Sequence, residues 1–411
     1  MNRVIVICLL LCVRIFYGAD AKLEIVKGQK YLPLIAIHNV GNDLEKKIAN
    51  MLAKDLEVSG NFKISLQSKE IQNQPNYLLY QAQQIDLLAN VIQQGNEVRL
   101  DFFDVNAKKK LLSEKFSLSE KSLFPFIAHR MANVINDYFK APSIKWMEGK
   151  VVFAKLIAPS KSAIVIADYT LTFQETIIND GLNIFPKWAD EKQESLFFTK
   201  YLDRPTILKY NLKNKKFERI LSSQGMAVVS DVSSDYKKLL VSMAPIGQAD
   251  VYLYDLEAKS TTKLTNYPGI DVGANFIEDK KKIIFISDRL GYPNVFLMNE
   301  NGSGVEQAVF HGRNNSSVAS NGKYIAYSSR EEKNEFGSSI FNLYLMESGS
   351  SAIRRLTLNG ANQMPRFSRD GENVMFLKNA NNQSSLGLVR LRYNKTFLFP
   401  IRGVKIQSFD W

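Results

Sequence analysis

The feature that most constrains this chain is a repeat of about 44 residues, present six times from roughly Trp146 to Trp411. One strand series ends on a bulky apolar residue: Val151-Val152-Phe153, Leu196-Phe197-Phe198, Leu239-Leu240-Val241, Ile283-Ile284-Phe285, Ile325-Ala326-Tyr327 and Val374-Met375-Phe376. The final residues step by 45, 43, 44, 42 and 49 positions. A second series ends at Asp168, Asn211, Asp255, Asn299, Glu347 and Arg390, stepping by 43, 44, 44, 48 and 43. This is the period of a four-stranded propeller blade, and six copies predict a six-bladed β-propeller. In such a ring the strands are scaffold, and function belongs to the loops at its two ends.

Turns such as Asn321-Gly322-Lys323 and Asp370-Gly371-Glu372 precede the first series, with Gly, Asn or Asp where a tight hairpin needs them. The first repeat, from Trp146 to Ile178, lacks an innermost strand. Ile406 to Trp411 reads as an innermost strand with nothing after it. Joining the two completes a blade and removes the open sheet edges.

Residues 22–141 lack the period and are predicted to form a separate small α/β domain, with the propeller spanning 146–411. Leu34 to Ile37 reads as a buried strand. Asn42 followed by Glu45 is a capping-box signature opening a helix with Leu44, Ile48, Met51, Leu52 and Leu56 on one face, and Gly60 suits its left-handed stop. Gln94-Gly95-Asn96 reads as a hairpin turn. A second helix has Pro125 in its first turn and an expected apolar face of Ile127, Met131, Val134, Ile135 and Tyr138.

Arg3, an apolar run from Val4 to Val13 and Ala19-Asp20-Ala21 read as a secretory signal covering residues 1–21. The run is too short to span a bilayer, which needs about 20 residues. Both cysteines, Cys8 and Cys12, fall inside it, so the mature chain has no disulfide and no thiolate metal site. A soluble exported space, the bacterial periplasm, is the expected home. Removing Arg3, Arg14 and Asp20 takes the net charge from +12 to +11. On the propeller, Lys150, Lys237, Lys280 to Lys282 and Lys323 fall at turns between strands one and two, and Lys213 to Lys216 and Lys259 at turns between strands three and four. Both turn types open on one end of the ring. That basic end reads either as an approach surface for acidic partners or as protection against stray strand pairing.

The opposite end is rimmed by loops running from each fourth strand to the next innermost strand. These are rich in Asn and Gly and nearly free of lysine. Met226, Asp271, His311, Arg313, Asn314, Asn362 and Gln363 are the candidate contacts for a protein partner at this mouth, with Arg313 as a bidentate carboxylate anchor. Ordinary turn chemistry explains the same residues singly. The fifth repeat carries an insertion, Arg330 to Ser339, on this end. No catalytic, cofactor or metal residue is expected. His38, His129 and His311 are scattered, and the chain has no H-E-x-x-H, no G-x-S-x-G elbow and no phosphate-binding glycine loop. An enzyme acting on an envelope glycan or peptide through channel carboxylates such as Asp271 is the competing class. Export and the lack of aromatic interleaving argue against nucleic acid.

The chain resembles the TolB family, periplasmic propeller proteins of the Tol–Pal envelope system. Lys54-Asp55-Leu56 with Ser59-Gly60-Asn61-Phe62, Ala128-His129, and Asp137-Tyr138-Phe139 are similar to its first domain; Asp231-Val232-Ser233-Ser234-Asp235 and Phe367-Ser368-Arg369-Asp370-Gly371 are similar to its blade starts. No blade keeps the family's full Ser-Pro-Asp-Gly turn. The resemblance implies a non-catalytic monomeric adaptor, peripheral to the outer membrane through its partner. It implies binding of the peptidoglycan-associated lipoprotein Pal over the channel mouth, and of TolA through an N-terminal segment, in outer-membrane integrity and constriction at cell division. Here that segment is Lys22 to about Pro33, with Leu23, Ile25, Val26 and Lys27 as its contacts. Its alternating apolar residues suit strand addition to a partner's sheet, or pairing within its own domain.

Overall fold

A computed structural model describes residues 31–68, 75–331, 340–380, 383–401 and 403–411. The signal at 1–21, Leu23, Ile25, Val26 and Lys27 of the N-terminal segment, and 332–339 of the fifth-repeat insertion lie outside the described residues.

The α/β region is a five-stranded sheet of order β2-β1-β3-β4-β5, built from β1 (Leu34–His38), β2 (Lys63–Gln67), β3 (Leu87–Gln94), β4 (Glu97–Asp104) and β5 (Lys109–Ser117). Strand β1 pairs parallel with β2 and β3, and β3, β4 and β5 form an antiparallel meander. Between β1 and β2 runs α1 (Asp43–Ser59). Its start is fixed reciprocally: the Asn42 side chain accepts from the Leu44 and Glu45 amides, and the Glu45 carboxylate accepts from the Asn42 amide at 2.7 Å. Gly60 ends it at φ 72°, where a Cβ would strain the backbone. A short α2 (Tyr77–Ala82) and α3 (Phe124–Tyr138), with Pro125 in its first turn, complete the region.

One expected core position differs. Tyr138 is 47% exposed, while His129 of the same helix is completely buried. Helix α3 packs against α1 on one side and against the propeller on another, so its buried surface is wider than a single stripe and turns away from Tyr138 at the last turn.

The propeller has six four-stranded antiparallel blades. The first consists of β6 (Lys150–Ala158), β7 (Lys161–Asp168) and β8 (Gln174–Ile178), with Lys405–Asp410 as its innermost strand. Closure is direct: Phe409 pairs opposite Phe153 and Asp410 opposite Val152, and the Trp146 and Trp411 rings meet edge-on at 5.7 Å. The repeated residue at the end of the first strand series is the hinge-pin of each blade core. Phe153, Phe198, Val241, Phe285, Tyr327 and Phe376 are all buried, each worth about 1.5–3 kcal/mol. Neighbouring blades share cores, as where Val152 and Ile164 of the first pack with Trp188 and Phe198 of the second.

The α/β region and the propeller belong to one compact unit, 33–411. They meet at the end of the ring that carries the turns between strands three and four. There the Tyr169 hydroxyl donates to Asp55, Arg390 Nη1 donates to the Val58 carbonyl at 3.1 Å, and the Tyr393 hydroxyl donates to Asn61. The end expected to be an open basic face is therefore partly occupied by the chain itself.

Candidate functional site

The mouth opposite that junction is built by a recurring polar device. Asn183, Asn315 and Asn362 occupy the start of three innermost strands, and each is completely buried. Asn362 Nδ2 donates to the carbonyls of Asn359 and Phe341, Asn183 Nδ2 to those of Asp180 and Ser162, and Asn315 Nδ2 to that of His311. Each side chain thus ties its strand to the loop that precedes it. Asp271 takes the same place in a fourth blade. It is also completely buried, held by Arg289 Nη2 at 3.1 Å from both carboxylate oxygens. It does not line the channel, which removes it from the carboxylates that an enzyme reading would use.

The remaining expected contacts are half-buried or exposed. Met226 lines the channel mouth. His311 Nδ1 lies 3.0 Å from the Tyr327 hydroxyl, with the His311 and Tyr344 ring centroids 4.5 Å apart. Burial, and to a lesser degree the neighbouring Tyr344, pushes the Tyr327 hydroxyl well above the ordinary tyrosine value, so it stays protonated. Asn314 adopts φ 56°, and Gln363 Nε2 donates to Ser316 Oγ at 3.4 Å. Arg313 is exposed with its guanidinium 5.7 Å from the Tyr292 ring centroid, and pairs with no carboxylate among the described residues.

Sequence reasoning missed the side chains that the mouth shows to solvent. Among the described residues, twelve large apolar side chains of the propeller are exposed, and eight lie at this end of the ring, three in the loops that lead into innermost strands and five at the turns between strands two and three. They are Ile157, Tyr201, Leu202, Ile246, Ile270, Leu290, Phe310 and Leu358; Ile246 is 91% exposed, Phe310 81% and Leu358 71%. The mouth is thus an apolar rim on inward-turned Asn hinges. The signal was present as single Ile, Leu or Phe residues inside polar loops, where local pattern gives them no meaning.

Inside the rim the channel holds a cavity of about 250 Å³ lined by Phe185, Met226, Val272, Met364 and Phe409. A second cavity of about 610 Å³ opens towards the other end. Lys187, Asn275 and Arg366 line both, and mark the waist between them. Charge there is matched: Lys187 Nζ lies 3.0 Å from Asp410 and 3.5 Å from Asp231, and Arg366 Nε 3.6 Å from Asp410. The carboxylates are further held by the Trp188 and Phe276 amides, each at 2.9 Å. These groups are committed to one another and form no nucleophile–base pair. No group of three or more metal-ligating side chains occurs among the described residues.

The junction at the far end carries the strongest electrostatics. His129 Nδ1 lies 2.8 Å from Asp55 Oδ2, and Nε2 lies 3.4 Å from Asp168 Oδ2, all three side chains having no exposed surface. Burial pushes the imidazole pKa down, but the Asp55 and Asp168 carboxylates outweigh it and hold it up at about 9. Burial also pulls Asp168 upward; the His129 hydrogen bond and charge, the Thr170 hydroxyl and the Phe173 amide overcome that and leave it below the ordinary carboxylate range. For Asp55 burial wins, and its pKa is raised despite His129 and Tyr169. An imidazolium held between two carboxylates joins α1, α3 and the first blade.

The molecule is of the class of closed six-bladed propellers that carry an α/β region at one end. The comparisons with known proteins agree with that architecture. The family described as "TolB beta propeller domain" matches residues 146–396, and that described as "TolB amino-terminal domain" matches residues 21–111. The Tol-Pal system protein TolB of Helicobacter hepaticus is 47% identical over 100% of both chains, and that of Wolinella succinogenes 48% identical over 96% of this chain and 97% of its own. The chain belongs to the TolB family of Tol–Pal system proteins. The crystal structure of TolB from Acinetobacter baumannii superposes with a TM-score of 0.75 at 23% identity, over 92% of this chain and 96% of that one, and shares the fold.

Proposed function

We propose that this chain is a periplasmic, non-catalytic adaptor of the Tol–Pal system that docks the lipoprotein Pal on its mouth. The observation that carries this reading is the ring of exposed apolar side chains around Ile246, Phe310 and Leu358. Isolated apolar surface residues are ordinary, but their concentration on one face marks a protein contact. Arg313, Asn314, His311, Met226 and Gln363 supply the polar part of the contact, while Asp271 and Asn362 hold the loops in shape beneath it. Membership of the TolB family supports the choice of system. In this reading residues 1–21 are removed on export. The segment from Lys22 to about Pro33, through Leu23, Ile25, Val26 and Lys27, engages TolA, linking the outer membrane to inner-membrane energy for integrity and constriction at division. No helix among the described residues is long and apolar enough to cross a membrane.

The test is titration calorimetry of the mature chain against purified Pal. One-to-one binding is expected, weakened at least a hundredfold by Ile246→Ser with Phe310→Ser and Leu358→Ser. Full-strength binding by that variant sinks the mouth assignment. Deleting residues 22–32 is expected to abolish TolA binding and leave Pal binding intact.

A further inference from the structure

A cleft of about 600 Å³ lies between the α/β region and the propeller, away from the mouth and the channel. Its size falls among ligand-binding clefts, about 300–1,000 Å³. The floor is apolar and half-buried: Phe126 of α3 meets Phe173 ahead of β8 edge-to-face at 5.5 Å, flanked by Leu123, Ile177 and Leu212. Around the edge stand Arg130 on α3, Lys150 at the start of β6 and Lys215 in a turn of the second blade, against the single carboxylate Glu175. Among the described residues none of the three cations pairs with a carboxylate, whereas Lys237, Lys263 and Lys282 elsewhere on the ring all do.

The backbone adds a second, independent feature. Among the described strands, β8 is the outer edge of the first blade and is hydrogen-bonded only to β7, and its residues Glu175, Thr176 and Ile177 line the cleft. Strand β5 is the terminal strand of the α/β sheet, and its last residue, Ser117, lines the opposite wall. Every blade has an outer edge, but this one faces a walled, apolar, cationic space. An unpaired edge beside a pocketed floor takes an extended peptide by strand addition, with side chains alternating between floor and rim. Uncompensated cations select acidic side chains for the rim positions.

We infer that this cleft binds an extended acidic peptide segment of a partner protein, whose apolar side chains fill the Phe126–Phe173 floor while its carboxylates meet Arg130, Lys150 and Lys215. The site is separate from the mouth.

The experiment uses the mature chain and a capped hexapeptide of alternating glutamate and leucine. Fluorescence anisotropy is expected to show saturable binding that weakens at least tenfold in Arg130→Glu with Lys215→Glu, and is unchanged in Lys237→Glu with Lys259→Glu. Amide hydrogen exchange across Gln174–Ile178 is expected to slow at least tenfold on peptide addition. The same peptide with lysine for glutamate is expected not to bind. No saturable binding, equal binding of the lysine peptide, or undiminished binding by the Arg130/Lys215 variant overturns the inference. Binding of phosphatidylglycerol vesicles in place of the peptide, lost in the same variant, also overturns it and assigns the cleft to lipid. Pal titration, expected to be unaffected by Arg130→Glu and Lys215→Glu, keeps this outcome distinct from that of the mouth.

Discussion

The two ends of this propeller invert the usual distribution of polar and apolar groups. At the α/β junction an imidazole and two carboxylates are completely buried, in contact only with protein. At the mouth, Phe310 and Ile246 stand in solvent while asparagines are sealed beneath them. A buried charge cluster tolerates no alternative partner, since separating it leaves unpaired ions in a medium that solvates them poorly. An exposed apolar rim is unsatisfied by design of its geometry and gains when another surface covers it. The charge cluster is committed, the rim available.

The largest loss is expected from removing what holds both ends on one frame. Deleting 404–411 strips the innermost strand of the first blade with buried Ile406 and Phe409, and opens the ring. A stability loss of about 5 kcal/mol or more is expected, read as a broadened, lowered thermal transition. Next is the junction itself. His129→Ala leaves Asp55 and Asp168 buried without their cation, and is expected to cost about 3–5 kcal/mol in denaturant unfolding.

Its pH dependence sharpens the point. The folded His129 pKa, about 9, lies above the ordinary 6.5, so the folded protein holds a proton that the unfolded chain releases between those values. The resulting stabilisation is complete below pH 6.5 and is lost as pH rises through 9. A fall of a few kcal/mol across that window is expected in the native chain, about the size of a shift at 1.4 kcal/mol per unit, and a flat profile in His129→Ala. Asp168, lowered in the folded state, works in the opposite window: its contribution is present above its unfolded pKa of 3.8 and is lost as pH falls through the lower folded value.

At the mouth the expectation reverses. Phe310→Ser alone is expected to leave stability within about 0.5 kcal/mol while weakening Pal binding by about 2 kcal/mol, so that folding and binding separate cleanly. The smallest effect belongs to the hinges: Asn362→Ala removes hydrogen bonds to loop carbonyls and is expected to cost about 1 kcal/mol, with little change in channel geometry.

How far these ends were legible in the sequence follows the same division. The blades were readable because each strand recurs with its neighbours at one spacing, so Phe153, Phe198 and Phe285 report on one another. Helix α1 was readable because Asn42, Glu45 and Gly60 act within a few residues of themselves. The junction was not, because its partners are 74 residues apart for His129 and Asp55 and lie on different elements. One trace existed: Asp55 falls four residues after Met51 on an otherwise apolar stripe, where a carboxylate demands a buried partner. The mouth was half legible. Its loops could be located, but of the contacts expected there Asn362 and Asp271 face inward, and the exposed residues carry no periodicity that would reveal them.

The strand Lys405–Asp410 completes a sheet whose other members begin more than two hundred residues upstream. During synthesis, then, the first blade stays unfinished until the other five blades have been made, and only then do Phe409 and Ile406 reach the shared hydrophobic cluster with the α/β helices. A long loop must close before that contact forms, which makes this a slow, late step. The same pairing gives the mature molecule a single seam, so mechanical or proteolytic opening has one place to start.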